Sequence, residues 1–284
     1  MRLLKLREAA DLQAPTMVVA LDAWVDAGSA STAAASVLAD GPVVATLDAD
    51  VLYDYRARRP TLEIADGRPD SLEWPTLDVR RGRAGERDLL VLTGPEPDFR
   101  WRELAAELVA LAARIGVGEW ITLGAIPAAV PHSRAVPILG TESRPGLLRG
   151  DVQAGPAGLL RVPAAAVSVL DMAAGEAGIP TVGYFAQVPH YVSGAYPAAA
   201  LALLDALERH LGTPLNKGAL AEEADQLRLR LDTATALDEK TRDYVKRLEG
   251  MVDESTLPSG EELIGEIERF LRDRGMDPGH GQVH

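Results

Sequence analysis

The pattern of apolar and polar positions divides the chain into short blocks. "TMVVALDAW" (16–24) is a nearly unbroken apolar run that predicts a first buried strand. A turn at "VDAG" (25–28) follows, and the alanine-rich stretch from Ser29 to Leu38 predicts a helix. "GPVVATLDAD" (41–50) is a second short apolar run with turn residues at its front edge, giving a strand, helix, strand opening. "RPTLEIADG" (59–67) and "WPTLDVRRG" (74–82) alternate between proline or glycine boundaries and read as more exposed strands.

The centre is clearer. "RDLLVLTGPEP" (87–97) is a strand ending in a glycine-proline turn, "FRWRELAAELVALAARIG" (99–116) is an amphipathic helix, and "GEWITLGAI" (118–126) is the next buried strand. That order is the parallel crossover unit, whose sheet is covered by helices. "PAAVPHSRAVPILGTE" (127–142) predicts loop or hairpin, "PAAAVSVLDMAAGEAG" (163–178) a helix, and "IPTVGYFAQVP" (179–189) a strand. "PAAALALLDALERHLG" (197–212) is a helix with Pro197 in its first turn and Gly212 past its end. One α/β domain is expected over residues 1–213.

Beyond it the pattern changes to a charged helical extension, residues 214–275. Positions 216 to 275 hold 25 charged residues in 60, against 46 in the other 224. Leu220, Leu227, Ala234 and Leu248 fall on a seven-residue ladder with Ala224, Leu231, Val245 and Val252 beside it. Asp238 and Thr241 interrupt the two rows, which predicts a short packing surface rather than a long coiled coil. It is expected to pack on the main domain or on a partner. Ser259 and Glu262 form a capping-box pair ahead of Leu263, Ile267, Phe270 and Leu271, and residues 276–284 read as a flexible tail.

Composition removes several function classes. The net charge of -13 opposes long-range attraction to nucleic acid or an anionic bilayer, so neither is expected as a partner. The absence of cysteine excludes thiol nucleophiles, disulfides and cysteine-ligated metals. Charges at Arg2, Lys5, Arg7, Glu8 and Asp11 break up the first leucines, unlike the apolar region of a signal peptide. No apolar run is long enough for a membrane span, and a cytoplasmic location is expected.

Candidate chemistry is sparse. The turn after the first strand lies where helix amides gather anions, but it has only Gly28 of a dinucleotide fingerprint and no phosphate-loop lysine. Asp26 is better read as the cap of the following helix. Neither Ser29 nor Ser193 sits in a nucleophile elbow, and the five histidines lack metalloprotease spacing. No cofactor or metal is expected. Asp22, Asp26, His132 and His190 are the weak catalytic candidates, because residues at strand ends converge at the carboxyl edge of such a sheet. The alternative reading has each imidazole hydrogen-bonded in a loop. In "VPHYVSGAYP" (188–197), Pro189, His190, Tyr191 and Tyr196 form a contact surface beside an apolar helix. With Leu220, Leu227, Leu231 and Leu248 they make up the expected interaction residues.

The ordered stretches "LDAWVDAGSASTAAASVL", "LLVLTGPEPDFRW", "ITLGAIPAAVPHSRAVP" and "GYFAQVPHYVSGAYPAAALALLDAL", with the charged tail, resemble the PAC2 family. These are the proteasome assembly chaperone 2-like proteins, and the likeness is to their actinobacterial branch over roughly residues 16–270. The resemblance implies a phosphorylase/peptidyl-hydrolase-like mixed sheet between helices, with a helical C-terminal addition. It places the family's signatures on Asp26, Ala27 and Gly28 and on Pro189, His190 and Tyr191. It also implies a homo-oligomer, expected to be a trimer, that binds proteasome-related proteins. Members that engage proteasome rings carry a C-terminal hydrophobic-tyrosine-any-residue motif, whereas residues 282–284 here read Gln-Val-His. The expected function is therefore a cytoplasmic, oligomeric, protein-binding or assembly-chaperone-like protein. The alternative is a nucleoside- or peptide-processing enzyme with a pocket at the sheet edge.

Overall fold

The computed structural model describes residues 3–7, 12–22, 24–150, 152, 154–156 and 158–253. The Ser259 to Leu271 helix and the tail expected from the sequence lie outside the described residues.

Four parallel strands form the middle of an eight-stranded mixed sheet: β2 (Thr16–Asp22), β7 (Arg87–Pro95), β8 (Glu119–Ala128) and β10 (Thr181–Pro189). On one side β1 (Leu4–Leu6), β3 (Val43–Leu47) and β6 (Asp78–Ala84) join β7 antiparallel, and on the other β9 (Ile138–Glu142) closes on β10. The spatial order is β1-β3-β6-β7-β2-β8-β10-β9.

Two sequence expectations change. The run at Thr16 is not the first strand, because the charge-broken leucines at 4–6 pair with β3 at the sheet edge. The 74–82 stretch is not an exposed strand either: β6 lies between β3 and β7, with Val79 fully buried. Arginines at its half-covered positions disguise an interior strand.

The pleat divides each central strand between two cores. Val18 and Ala20 of β2 face the layer of α1 (Ala30–Leu38) and α5 (Pro197–Leu211), while Met17, Val19 and Leu21 face α3 (Trp101–Ile115) and α4 (Ala166–Glu176). A continuous apolar sequence is what a strand covered on both faces requires. α5 begins with Pro197 and ends at Gly212, whose φ of 67° is the left-handed C-terminal turn that glycine adopts without strain.

The helical extension folds back on the same chain. α6 (Leu220–Leu237) packs along α5, burying Leu220 and Ala224 and half-burying Leu227 and Leu231. The helix breaks at Asp238, which is extended at φ -117° and ψ 114°, and α7 (Glu239–Asp253) returns with Val245 and Leu248 buried. Asp238 and Thr241 break the ladder because they start a new helix: the carboxylate accepts from the Thr241 amide at 3.1 Å and from its hydroxyl. Those bonds hold the Asp238 carboxyl below the usual aspartate range. Among the described residues no helix is long and apolar enough to cross a membrane.

A separate element leaves this frame. After the short helix α2 (Ala49–Leu52), β4 (Thr61–Ala65) and β5 (Arg68–Glu73) pair only with each other, and every residue of both strands is exposed. Asp66 and Gly67, at φ 50° and 76°, make the two-residue turn whose twist suits a hairpin.

Candidate functional site

The carboxyl edge of the parallel strands is where α/β folds place ligands. Here two protein carboxylates occupy it. Asp26, 7 % exposed, accepts from the Ser31 amide and hydroxyl, both at 2.7 Å, and from the Thr32 amide at 3.3 Å and hydroxyl at 2.6 Å. These are the free donors of the first turn of α1, so Asp26 caps that helix from three residues ahead of Ser29. Glu96, just past β7, accepts from the Ala166 amide at 2.5 Å and caps α4 in the same way. Gly28 has φ 64°, and a Cβ there would lie 2.8 Å from the Tyr196 Cβ. Its carbonyl accepts from the Tyr196 amide at 2.8 Å, so the turn fixes the start of α5. Side chains are excluded at this glycine by both conformation and space.

The two candidate imidazoles meet around one phenol. Tyr191 Oη accepts from the His132 backbone amide at 2.8 Å and lies 2.7 Å from His132 Nδ1. With that oxygen already accepting, its own hydrogen goes to Nδ1, and His132 Nε2–H points to Asp232 Oδ1 at 3.2 Å. Burial raises the Tyr191 phenol to about 12, so it remains a neutral donor. His190 donates from Nδ1 to the Ala128 carbonyl at 3.1 Å, and its Nε2 accepts from Tyr244 Oη at 3.0 Å. The rings of His190, Tyr191 and Tyr244 stack edge to face, with centroids 5.7 to 6.1 Å apart. Both nitrogens of His190 are therefore engaged, and its contacts are structural in kind.

The four weak catalytic candidates do not assemble into one site. His132 and His190 share Tyr191, whereas Asp26 is occupied by α1 and Asp22 is exposed at the end of β2. Pro189 ends β10 in a buried position, and Tyr196 is buried at the start of α5. A cleft of about 530 Å³ lies between α5, α6 and the loop after β8, lined by His132, Val136, Tyr196, Leu201, Arg228 and Leu231 among others. Of the four candidates only His132 reaches it. Charges of both signs, including Arg209 and Asp225, stand around it. Among the described residues no three histidine, aspartate or glutamate side chains gather as metal ligands.

The sequence reading missed the partners supplied by the extension. Asp232 and Tyr244 lie 100 and 54 residues from the histidines they meet, and no spacing signal links them. Nearby, Glu249 accepts from the Ser133 hydroxyl and pairs with Arg134 at 3.7 Å, joining α7 to the same loop. A second phenol-imidazole-carboxylate chain runs through the core: Tyr184 Oη meets His210 Nδ1 at 2.7 Å, and His210 Nε2 meets Glu119 Oε2 at 3.1 Å. The His210 hydrogen bond is the main reason the Glu119 carboxyl lies below its ordinary range. On the other face, burial raises the Asp171 carboxyl to about 7 despite bonds from Thr122 at 2.5 Å and Trp120 at 3.0 Å.

The PAC2 family model matches residues 20–235. A PAC2 family protein from Streptomyces avermitilis is 37% identical, with a TM-score of 0.73 over 81% of this chain and 99% of that one. A proteasome-assembly chaperone homologue from Mycobacterium tuberculosis is 30% identical, with a TM-score of 0.74 over the same shares. A Corynebacterium glutamicum protein of unknown function is also 30% identical, with a TM-score of 0.83 over 89% of this chain and 97% of that one. No curated protein matches the chain.

Proposed function

Because the chain belongs to the PAC2 family, we propose that it is a cytoplasmic, protein-binding, assembly-chaperone-like protein with a proteasome-related partner. It acts as a homo-oligomer, a trimer, joined through apolar faces of the α/β domain. The observation that carries this reading is how the signature residues are used. Asp26 caps α1, Gly28 packs against Tyr196, and His190 has both nitrogens bonded. Their polar groups are spent on holding the fold, and they leave no free nucleophile and base together. The similarity to a proteasome-assembly chaperone homologue supports the choice of partner.

The test combines affinity purification from the native host with reconstitution from separately purified proteasome subunits. Proteasome subunits are expected to co-purify, and the protein should speed their assembly. Unchanged assembly kinetics together with no recovered proteasome subunit would reject the reading.

One observation favours a second reading. His132 lines the 530 Å³ cleft and is held between Tyr191 and Asp232, so that release of the Tyr191 hydrogen bond would free Nδ1 to act as the general base of a nucleoside- or peptide-processing enzyme. A hydrolase and phosphorylase substrate screen on wild type and His132→Ala decides it. Turnover abolished in a folded variant supports the enzyme, and inactivity of wild type across the screen rejects it.

A further inference from the structure

The cleft between α5 and α6 is lined by six side chains that carry or can carry charge: His132, Arg134, Asp205, Arg209, Asp225 and Arg228. Four of them are spent within the chain. His132 lies between Tyr191 and Asp232, and Arg228 shares the Asp232 carboxylate at 3.8 Å and donates to the Ser133 carbonyl at 3.0 Å. Arg134 pairs with Glu249 at 3.7 Å, and Asp205 with Lys217 at 2.7 Å. The side chains of Arg209 and Asp225 form no ion pair with any described residue.

These two open charges stand at the same end of the cleft. Residues 212–219 join α5 to α6, and the helices pack along each other, so they run antiparallel. Arg209 lies two residues before the end of α5, and Asp225 five residues after the start of α6. From there the walls turn apolar. Leu201 lies eight residues from Arg209 and Leu231 six from Asp225, about 12 and about 9 Å along their helices, and Val136 and Ile138 line the same space. The loop backbone at Gly150, with φ 72°, passes against Arg209: a Cβ there would lie 3.3 Å from Nε.

An unpaired cation and an unpaired anion at the head of an apolar slot complement a molecule that carries both charges on one carbon and an apolar group behind them. Arginine takes a carboxylate through two parallel N–H bonds, and an aspartate takes an ammonium. A purely anionic ligand such as a phosphate would be drawn to Arg209 but repelled by Asp225. The volume of about 530 Å³ suits a small molecule.

We infer that this cleft binds a free α-amino acid with a large apolar side chain, its carboxylate on Arg209, its ammonium on Asp225 and its side chain between Leu201 and Leu231. This builds on the second reading above, since it uses the same cleft and such an amino acid is what peptide cleavage releases, but binding requires no turnover.

Isothermal titration calorimetry on the full-length chain with L-leucine and L-phenylalanine tests it, with thermal melts to verify folding. Saturable binding is expected, weakened at least about tenfold by an N-acetyl group and likewise by conversion of the carboxylate to an amide. Arg209→Gln should remove the preference for acid over amide, and Asp225→Asn the preference for free amine over N-acetyl. Both side chains are exposed, so the melting temperature should stay unchanged. Equal binding of the free, N-acetyl and amide forms would overturn the charge recognition, and no binding at millimolar ligand would overturn the inference whole. Binding without turnover in the substrate screen supports this inference and rejects only the enzyme reading. Turnover of a peptide by a protein that binds neither amino acid rejects the inference and leaves the enzyme reading standing.

Discussion

Asp232 Oδ1 lies 3.2 Å from His132 Nε2, tying the charged extension to the loop after β8 across 100 residues of sequence. The two partners are unequal: the Asp232 side chain is 50% exposed and that of His132 only 2%. An exposed carboxylate contributes little to such a pair, so Asp232→Ala should change stability by no more than about 1 kcal/mol. His132→Ala removes the partner of a half-buried phenol and should cost about 1–3 kcal/mol. Urea denaturation of the two variants checks the order, and equal losses would contradict it.

The Asp26 turn should be the more sensitive half of the family signature. Asp26→Ala strands the buried donors of Ser31 and Thr32 and should cost about 2–3 kcal/mol, at the upper end for a helix cap because the hydroxyls lose their partner too. Gly28→Ala combines a left-handed φ with a clash against Tyr196 and should cost about 1–3 kcal/mol. Thermal melts should show both below wild type, with Asp26→Asn intermediate. An Asp26→Ala melt equal to wild type would exclude the capping role.

Asp171 predicts an unusual pH dependence. Burial raises its carboxyl to about 7, so the folded protein holds this proton more tightly than the unfolded chain does. Unfolded aspartates titrate near about 3.9, and the contribution of this group to stability therefore falls as pH rises between about 4 and 7. Asp171→Asn should remove that slope, gaining up to about 4 kcal/mol on wild type between acidic and mildly alkaline pH. Urea midpoints measured across this range test it, and parallel curves for the two proteins would rule it out.

Glu119 should behave in the opposite sense. Its carboxyl lies below the ordinary range, first because of His210, and its contribution is present above the unfolded value of about 4.3 and lost on acidification through the folded value. Glu119→Gln should cost about 1–3 kcal/mol at neutral pH, with the gap to wild type closing below about pH 4. A gap independent of pH would show that packing, not charge, is what the substitution removes.

The central layers were legible because their physics is local. Unbroken apolar runs marked the parallel strands, and Pro197 and Gly212 marked both ends of α5. β1 was obscured because a three-residue edge strand carries Lys5 at an exposed position and so resembles a polar terminus. β5 was obscured because none of its residues is buried and its bulge disturbs the alternation, although Asp66-Gly67 was a readable hairpin turn. Asp26 could be read as a cap from its place before α1. The meeting of His132 with Asp232 and of His190 with Tyr244 could not, since it depends on α6 and α7 folding back over α5 and the loop after β8.

The paired caps also bear on how this scaffold could acquire new chemistry. Asp26 and Glu96 act as tethered counter-ions at the two helix starts facing the sheet edge, positions that a free phosphate or carboxylate would otherwise favour. A receptor built on this framework would have to evict an intramolecular competitor present at very high effective concentration. Neutralising these two carboxylates, rather than carving a deeper pocket, is thus the shortest engineering route to an anion-binding descendant.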